Sequence, residues 1–381
     1  MSQFDLVSEK YINHFGTKPS LLTHGPGRVN LIGDHTDYND GFVLPAAINF
    51  GTDIAASKRD DKIIRVLAVD CNNETVEFSL DNIEFNNEKM WVNYIGGTLQ
   101  ALTKQYTDIV GADLVVTGNV PQGAGLSSSA SFEIAILKTF AQLNDIDLGG
   151  VQAALLGQQA ENNFVGCNCG IMDQLISALG KKNNVMLLDC RTLTYQHAPI
   201  PNSMALLIVN SNVKRGLVDS EYNTRRQQCE EVARYFNQPA LRDVTLEQLL
   251  SAQDKLAPDL VRRAKHVITE NARTESALIA LQNNDMIKMS ELMAESHISL
   301  KDDFAVTTPE MDYLVELIGS ELGNKGGVRM TGGGFGGCVV ALTPKDLVDD
   351  IKLKISQNYQ QKTGLKEHIY VCVASDGAFN R

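Results

Sequence analysis

An α+β protein of two lobes is what the sequence predicts, with the change of lobe near residue 200. Three observations carry this. Period-two apolar runs and helical patterns mix in the first half, helical spacing dominates from Ser220 to Gly323, and a strand, a helix and a closing strand follow a glycine-rich stretch. At 381 residues the chain exceeds one typical domain, in keeping with a first lobe over 1–198 and a second, helix-rich lobe over 199–381.

Residues 62–80, KIIRVLAVDCNNETVEFSL, hold two alternating runs around Cys71-Asn72-Asn73, the pattern of a β-hairpin. Ala112 to Val120 reads as a strand ended by Pro121. From Leu126, the apolar residues Leu126, Ala130, Ile134, Leu137 and Ala141 recur at helical spacing, and Phe132, Ile136, Phe140 and Leu143 add a second stripe. That helix is apolar over most of its circumference, so it is expected between layers, its N-terminus aimed at whatever the preceding loop holds. A helix over 151–161 and a strand at ALLIVN, 205–210, come next. Further on, Val261, Ala264 and Ile268, then Met311, Leu314, Val315 and Ile318, mark core faces, with Asp254–Pro258 and Val306–Pro309 as punctuation. The end reads as a strand over Cys338–Leu342, a helix with Leu347, Ile351 and Ile355 on one face, and the strand IYVCVA.

Apolar residues at 43% and charged residues at 21% describe a globular chain rather than a disordered one. The 46 acidic against 34 basic side chains give a formal charge of −12, the wrong sign for wrapping a nucleic acid backbone. A polyanionic ligand in such surroundings calls for a divalent cation and a few local arginines. The opening MSQFDLVSEKYINHF lacks the uninterrupted apolar core of a signal peptide, and FVLPAAINF falls far short of the roughly 18 residues of a membrane span. A cytoplasmic chain is therefore expected. Seven cysteines at no framework spacing read as reduced thiols, and Cys167-x-Cys169 has no second pair or nearby histidine to complete four zinc ligands.

Three stretches carry chemistry. PQGAGLSSSASFEIA, 121–135, packs glycines and serines at a helix start without the lysine of a Walker loop. Its main-chain N–H groups and the free donors of the helix form a neutral, electropositive cradle for phosphate, or alternatively an ordinary N-cap cluster. Full neutralisation of a triphosphate would still need Mg²⁺, for which Ser129 could supply one oxygen and Glu161, beyond the apolar face of 151–160, a carboxylate. GPGRVNLIGDHTDYNDG, 25–41, places Arg28, Asp34, His35, Asp37 and Tyr38 close together between glycines, either a small polar ligand's site or a solvated loop. GGVRMTGGGFGGC, 326–338, has seven glycines in thirteen positions just before a strand, which suits close backbone approach, a tight hairpin or a lid. The glycines precede the strand, which excludes a dinucleotide-binding fingerprint.

In this order and spacing the three stretches resemble the three motifs of the GHMP small-molecule kinases. GRVNLIGDHTDY is similar to the galactokinase signature at nearly every position, and VPQGAGLSSSAS, CGIMDQ with its flanking VGCNCG, and GGVRMTGGGFGG resemble the same subfamily, over essentially the whole chain. The resemblance implies a bilobal GHMP fold with the site between the lobes, and transfer of the γ-phosphoryl of ATP to the anomeric hydroxyl of α-D-galactose with Mg²⁺ present. Carried over by motif, Asp34, His35, Thr36 and Asp37 would bind the sugar, with Gly170 and Tyr222 lining its pocket. Gly123, Ala124, Gly125, Leu126, Ser127, Ser128 and Ser129 would cradle the nucleotide, and Ser129 with Glu161 would hold Mg²⁺. Asp173 falls at the family's catalytic aspartate and Arg28 at its arginine beside the transferring phosphoryl. The chain departs at Asp34, where many relatives have glutamate. Small-molecule partners are implied, galactose and ATP, with neither nucleic acid nor membrane, and a monomer is expected. The competing readings are a sister kinase for N-acetylgalactosamine, mevalonate or homoserine, and a sensor that binds sugar and ATP without turnover. The Asp-His-Thr-Asp run favours an unmodified sugar, and retention of Asp173, Arg28, Ser129 and Glu161 favours catalysis.

Overall fold

The computed structural model describes residues 2–121, 125–213 and 218–380, the side chains of 218–220 excepted. Its first helix, α1 (Gln3–Phe15), has no counterpart among the expected elements. Ser2 and Asp5 close a capping box at its start and Gly16, at φ 75°, ends it. Val7 and Tyr11, one turn apart, are buried against Ala55, Leu67 and Val115.

Those three residues belong to the outer face of the first sheet. It is built from β1 (Leu21–Asn30), β3 (Pro45–Lys58), β4 (Ile63–Ala68), β5 (Glu74–Ser79) and β6 (Ala112–Gly118) in the order β1-β3-β6-β4-β5, while the short β2 (Phe42–Val43) pairs elsewhere. The β4–β5 hairpin turns through Asn72 and Asn73, both at positive φ, as their residue types allow. Along β3, β4 and β6, Ile54, Ala56, Ile64, Val66, Leu114 and Val116 alternate with the α1-facing set and form the inner face. Four helices cover it: α2 (Met90–Thr103), α3 (Ser128–Leu143), α4 (Gly150–Ala160) and α5 (Met172–Leu179). As its two apolar stripes foretell, α3 lies between layers, with Ile134, Ile136, Leu137 and Phe140 wholly buried. A Cβ on Gly25 of β1 would lie 2.3 Å from the Ser131 carbonyl, so glycine there lets the strand run directly under the start of α3.

Strands β7 (Asn184–Asp189) and β8 (Tyr195–Pro199) join β2 in a small sheet. The second large sheet runs β10-β11-β9-β12, from β9 (Met204–Asn210), β10 (Gly327–Thr331), β11 (Cys338–Pro344) and β12 (His368–Cys372). One face, with Ala205, Leu207, Val209, Val339 and Ala341, packs under the helices α6 (Val218–Tyr235), α7 (Leu246–Ser251), α8 (Pro258–Gln282), α10 (Pro309–Leu322) and α11 (Val348–Thr363). The opposite face, with Leu206, Ile208, Val340 and Leu342, meets Val29, Leu31, Ile32, Leu44 and Ile48 of the first half, together with Leu292 and Met293 of α9 (Met286–Ile298). This apolar contact joins the two lobes and fixes the cleft between them. Past β12 the chain crosses back, with Ser375 N–H donating to Ala47 and Gly377 N–H to Gly180. Among the described residues no helix is long and apolar enough to cross a membrane, and the cysteines are free thiols.

Candidate active site

The three chemistry-bearing stretches converge on one polar cavity of about 260 Å³. The end of β1 and the loop after it contribute Arg28, Asp34, His35 and Asp37, the turn before α3 contributes Gly125, Ser127 and Ser129, and the approach to α5 contributes Gly170 and Asp173. Glu161, Cys167, Cys169, Met172, Tyr222, Gly332 and Gly333 complete the wall, the last two from the glycine-rich stretch after β10.

Arg28 organises this cavity. Its Nε donates to Asp173 Oδ1 at 2.6 Å and its Nη2 to Asp173 Oδ2 at 2.5 Å, a bidentate pair, while Nη1 donates to the Gly125 carbonyl. One guanidinium thus ties the Asp173 carboxylate to the glycine-serine turn. Burial pulls the guanidinium down, but the Asp173, Asp34 and Asp37 charges outweigh it and hold Arg28 above its ordinary value. Asp173 sits in the first turn of α5, where the helix dipole favours a carboxylate.

Asp37 is pressed against Gly170: a Cβ there would fall 1.9 Å from Asp37 Oδ2. Burial, then the nearby Asp173 charge, push the Asp37 carboxyl up to about 6. His35 takes a left-handed backbone, φ 66°, and donates or accepts at Nδ1 with the Tyr38 hydroxyl at 2.8 Å. Burial brings its imidazole down to about 3, so the ring is neutral. It packs against Phe304 and Tyr222, with ring centroids 4.6 and 5.5 Å away, and burial holds the Tyr222 phenol well above its ordinary value. Asp34 is 3% exposed and bound by Arg329, Asn30 and the Gly332 N–H. Thr36 is fully buried, with its hydroxyl against the Gly33 and Phe42 carbonyls at 2.8 and 2.6 Å. It closes the loop from within and is not among the residues lining the cavity.

The serine turn divides its labour. Ser127 caps α3 with a left-handed backbone, φ 56°, and makes no side-chain capping bond, unlike an ordinary N-cap. Its hydroxyl is buried without a partner among the described residues, beside the cavity. Leu126 turns its side chain into the core, and its carbonyl accepts from Arg28 N–H. Gly123 and Ala124 lie outside the described residues. Ser128 and Ser129 face a second cavity of about 330 Å³, lined by Met90, Trp91 and Tyr94 of α2, Phe132 of α3, and Val116 and Val120. Ser129 borders both cavities, so the apolar and polar spaces meet at the serine turn.

Glu161 opens a single π-helical turn, Glu161–Val165, at the end of α4. It is 6% exposed, with a hydrogen bond from Ser129 and one of 2.7 Å from Gln174 Nε2. Burial and then Asp173 push its carboxyl up. A hard divalent cation beside the pair would reverse that shift, and one carboxylate with one hydroxyl fits Mg²⁺, which completes its shell with water and phosphate oxygens. Among the described residues no group of three or more His, Cys, Asp and Glu forms a protein-only metal cage.

The sequence reading missed several members. Glu133 of α3 is wholly buried and shares the Gln174 amide with Glu161, at 3.0 Å. Burial, then Glu161, hold its carboxyl well above its ordinary value. The signal was a lone charge in the apolar run FEIAIL. Arg329, fully buried, was hidden inside the glycine-rich stretch. The apolar cavity went unseen, although the single tryptophan, Trp91, one helical turn from Tyr94, marked it.

Residues 9–58 match the galactokinase galactose-binding signature, 93–181 the N-terminal domain of GHMP kinases and 277–361 their C-terminal domain. The galactokinase of Lactococcus lactis, solved with galactose, is 34% identical, covers 99% of both chains and superposes with a TM-score of 0.93. Mevalonate kinase of Methanococcus jannaschii, at 19% identity, covers 93% of this chain and 98% of its own, with a TM-score of 0.64. Phosphomevalonate kinase of Streptococcus pneumoniae, at 12%, covers 92% and 100%, with a TM-score of 0.63. The last two share the fold, whereas the first also shares sequence from end to end: the chain belongs to the galactokinases of the GHMP kinase family.

Proposed function

We propose that this chain transfers the γ-phosphoryl group of ATP to the anomeric hydroxyl of α-D-galactose, releasing galactose 1-phosphate and ADP. The observation that carries the reading is the Arg28 bridge, which joins the Asp173 carboxylate to the glycine-serine turn within one cavity. The C1 oxygen forms its bond to the γ-phosphorus as the bond to the ADP oxygen breaks, and Asp173 accepts the hydroxyl proton. Arg28 orients the Asp173 carboxylate through the bidentate pair and brings positive charge to the transferring group.

Asp37 and His35 address the sugar hydroxyls, with Gly170 and Tyr222 closing round the ring. The adenine base occupies the apolar cavity against Trp91, Tyr94 and Phe132, which leaves the phosphates at the serine turn. Ser129 and Glu161 would hold Mg²⁺, which supplies neutralisation of the phosphate charge when bound. The main-chain N–H groups of the turn and the α3 N-terminus do the remaining holding without a lysine.

An ADP-release assay with ATP, Mg²⁺ and a panel of acceptors tests the proposal. Galactose is expected to give the highest kcat/KM. A preference for N-acetylgalactosamine, mevalonate or homoserine would end the substrate claim, and binding of galactose and ATP without ADP release would favour the sensor.

A further inference from the structure

The loop that carries His35 and Asp37 hangs between two elements of the second lobe. From α8, His266 Nε2 meets the Asp34 carbonyl at 3.1 Å, Glu270 Oε1 accepts from Gly33 N–H at 3.0 Å, and Asn271 Oδ1 accepts from Phe42 N–H at 2.9 Å. From β10, Thr331 Oγ1 donates to the Asn30 carbonyl at 2.8 Å and Arg329 Nη1 to the Leu31 carbonyl at 3.2 Å.

Asp34 is the side chain through which the loop answers. Its Oδ2 accepts from Arg329 Nη2 at 2.5 Å and from Gly332 N–H at 3.3 Å, and its Oδ1 from Asn30 Nδ2 at 2.8 Å. Three of its roughly four acceptor positions are therefore taken by the protein. Arg329 has no exposed surface, and a guanidinium so buried cannot release its counter-ion without a large desolvation penalty. The next residue, His35, holds a left-handed backbone at φ 66°, an uncommon conformation for a residue other than glycine.

We propose that Asp34 and Arg329 form an interlobe latch that positions His35 and Asp37, and that Asp34 is a positioning residue which takes no hydroxyl of the sugar itself. The inference rests on the galactose reading and departs from the sugar contact implied for this position by resemblance. The latch sets the turn at His35, and with it the distance between Asp37 and Gly170. It also couples the glycine-rich stretch at 332–334 to the sugar loop.

The experiment is steady-state kinetics of the wild type, Asp34→Asn, Arg329→Met and the double variant. Galactose and its 2-, 3-, 4- and 6-deoxy analogues serve as acceptors. Each single variant is expected to raise the galactose KM about tenfold or more while leaving the ATP KM unchanged, and the double variant is expected to be no worse than the poorer single one. The loss in Asp34→Asn should be the same factor for galactose and for every analogue. If that loss vanished with one deoxy sugar, Asp34 would be a direct contact to the missing hydroxyl and the latch would be refuted. Multiplying losses in the double variant would refute it too. Should Arg329→Met fail to fold, the analogue series on Asp34→Asn decides alone. A wild type that releases no ADP with galactose would instead sink the functional reading.

Discussion

Asp37 is ionised at neutral pH only against burial and the charge of Asp173, which together hold its carboxyl at about 6. As pH falls through that value the acid protonates and loses acceptor capacity toward sugar hydroxyls. The galactose kcat/KM is therefore expected to fall below about pH 6, and a profile without that limb would show that Asp37 does not bind sugar in its ionised form. Stability runs the other way. A carboxyl whose folded value exceeds its unfolded one stabilises the fold below about pH 4, and that contribution is lost as pH rises through about 6. Asp37→Asn should thus be more stable than the wild type at pH 7 by roughly 1–3 kcal/mol, a gain that fades near pH 4 in denaturant titrations. Equal stabilities at both pH values would refute the strained charge. Asp173→Asn should lower kcat by roughly 10²–10⁴-fold with nucleotide binding near normal. An unchanged kcat would remove Asp173 from the chemistry.

The element on which the proposed adenine site rests is α2, which the sequence reading did not assign. The half-buried Trp91 and Tyr94 in its first turns line the apolar cavity, so Trp91→Ala is expected to raise the ATP KM by about tenfold, the loss of a stacking contact. The galactose KM should stay put. A rise in both would mean that the cavity supports the whole cleft rather than the base. The hairpin at 63–79 and helix α3 were legible because each declares its own periodicity over many residues. Helix α2 was not, since a small-residue run, IGGT, interrupts its apolar pattern. Strand β3 escaped as well: most of its residues are buried on both faces, so no polar alternation survives to mark it.

At the scale of the molecule, the lobes are held by the shared apolar face between β9–β11 and the β1–β3 region, by the polar groups of α8, and by the tail after β12. That tail adds a bridge between Ile48 and Ala374, and it buries Ala378 and lays Phe379 under Lys138. Ending the chain at Val373 is expected to lower Tm by roughly 5 °C or more in thermal melts. An unchanged Tm would show that the returning segment contributes nothing to lobe docking. The sequence by itself determined the class of fold, the sign of the surface charge and the three stretches that bear chemistry, because periodicity and local residue density are properties of short segments. Only the tertiary structure decided that Arg28 spans Asp173 and Gly125, that Arg329 reaches Asp34 from 295 positions away, and that Thr36 turns inward. Those outcomes depend on which distant backbones meet at the lobe junction, and burial there pushes up the carboxyls of Asp37 and Glu161.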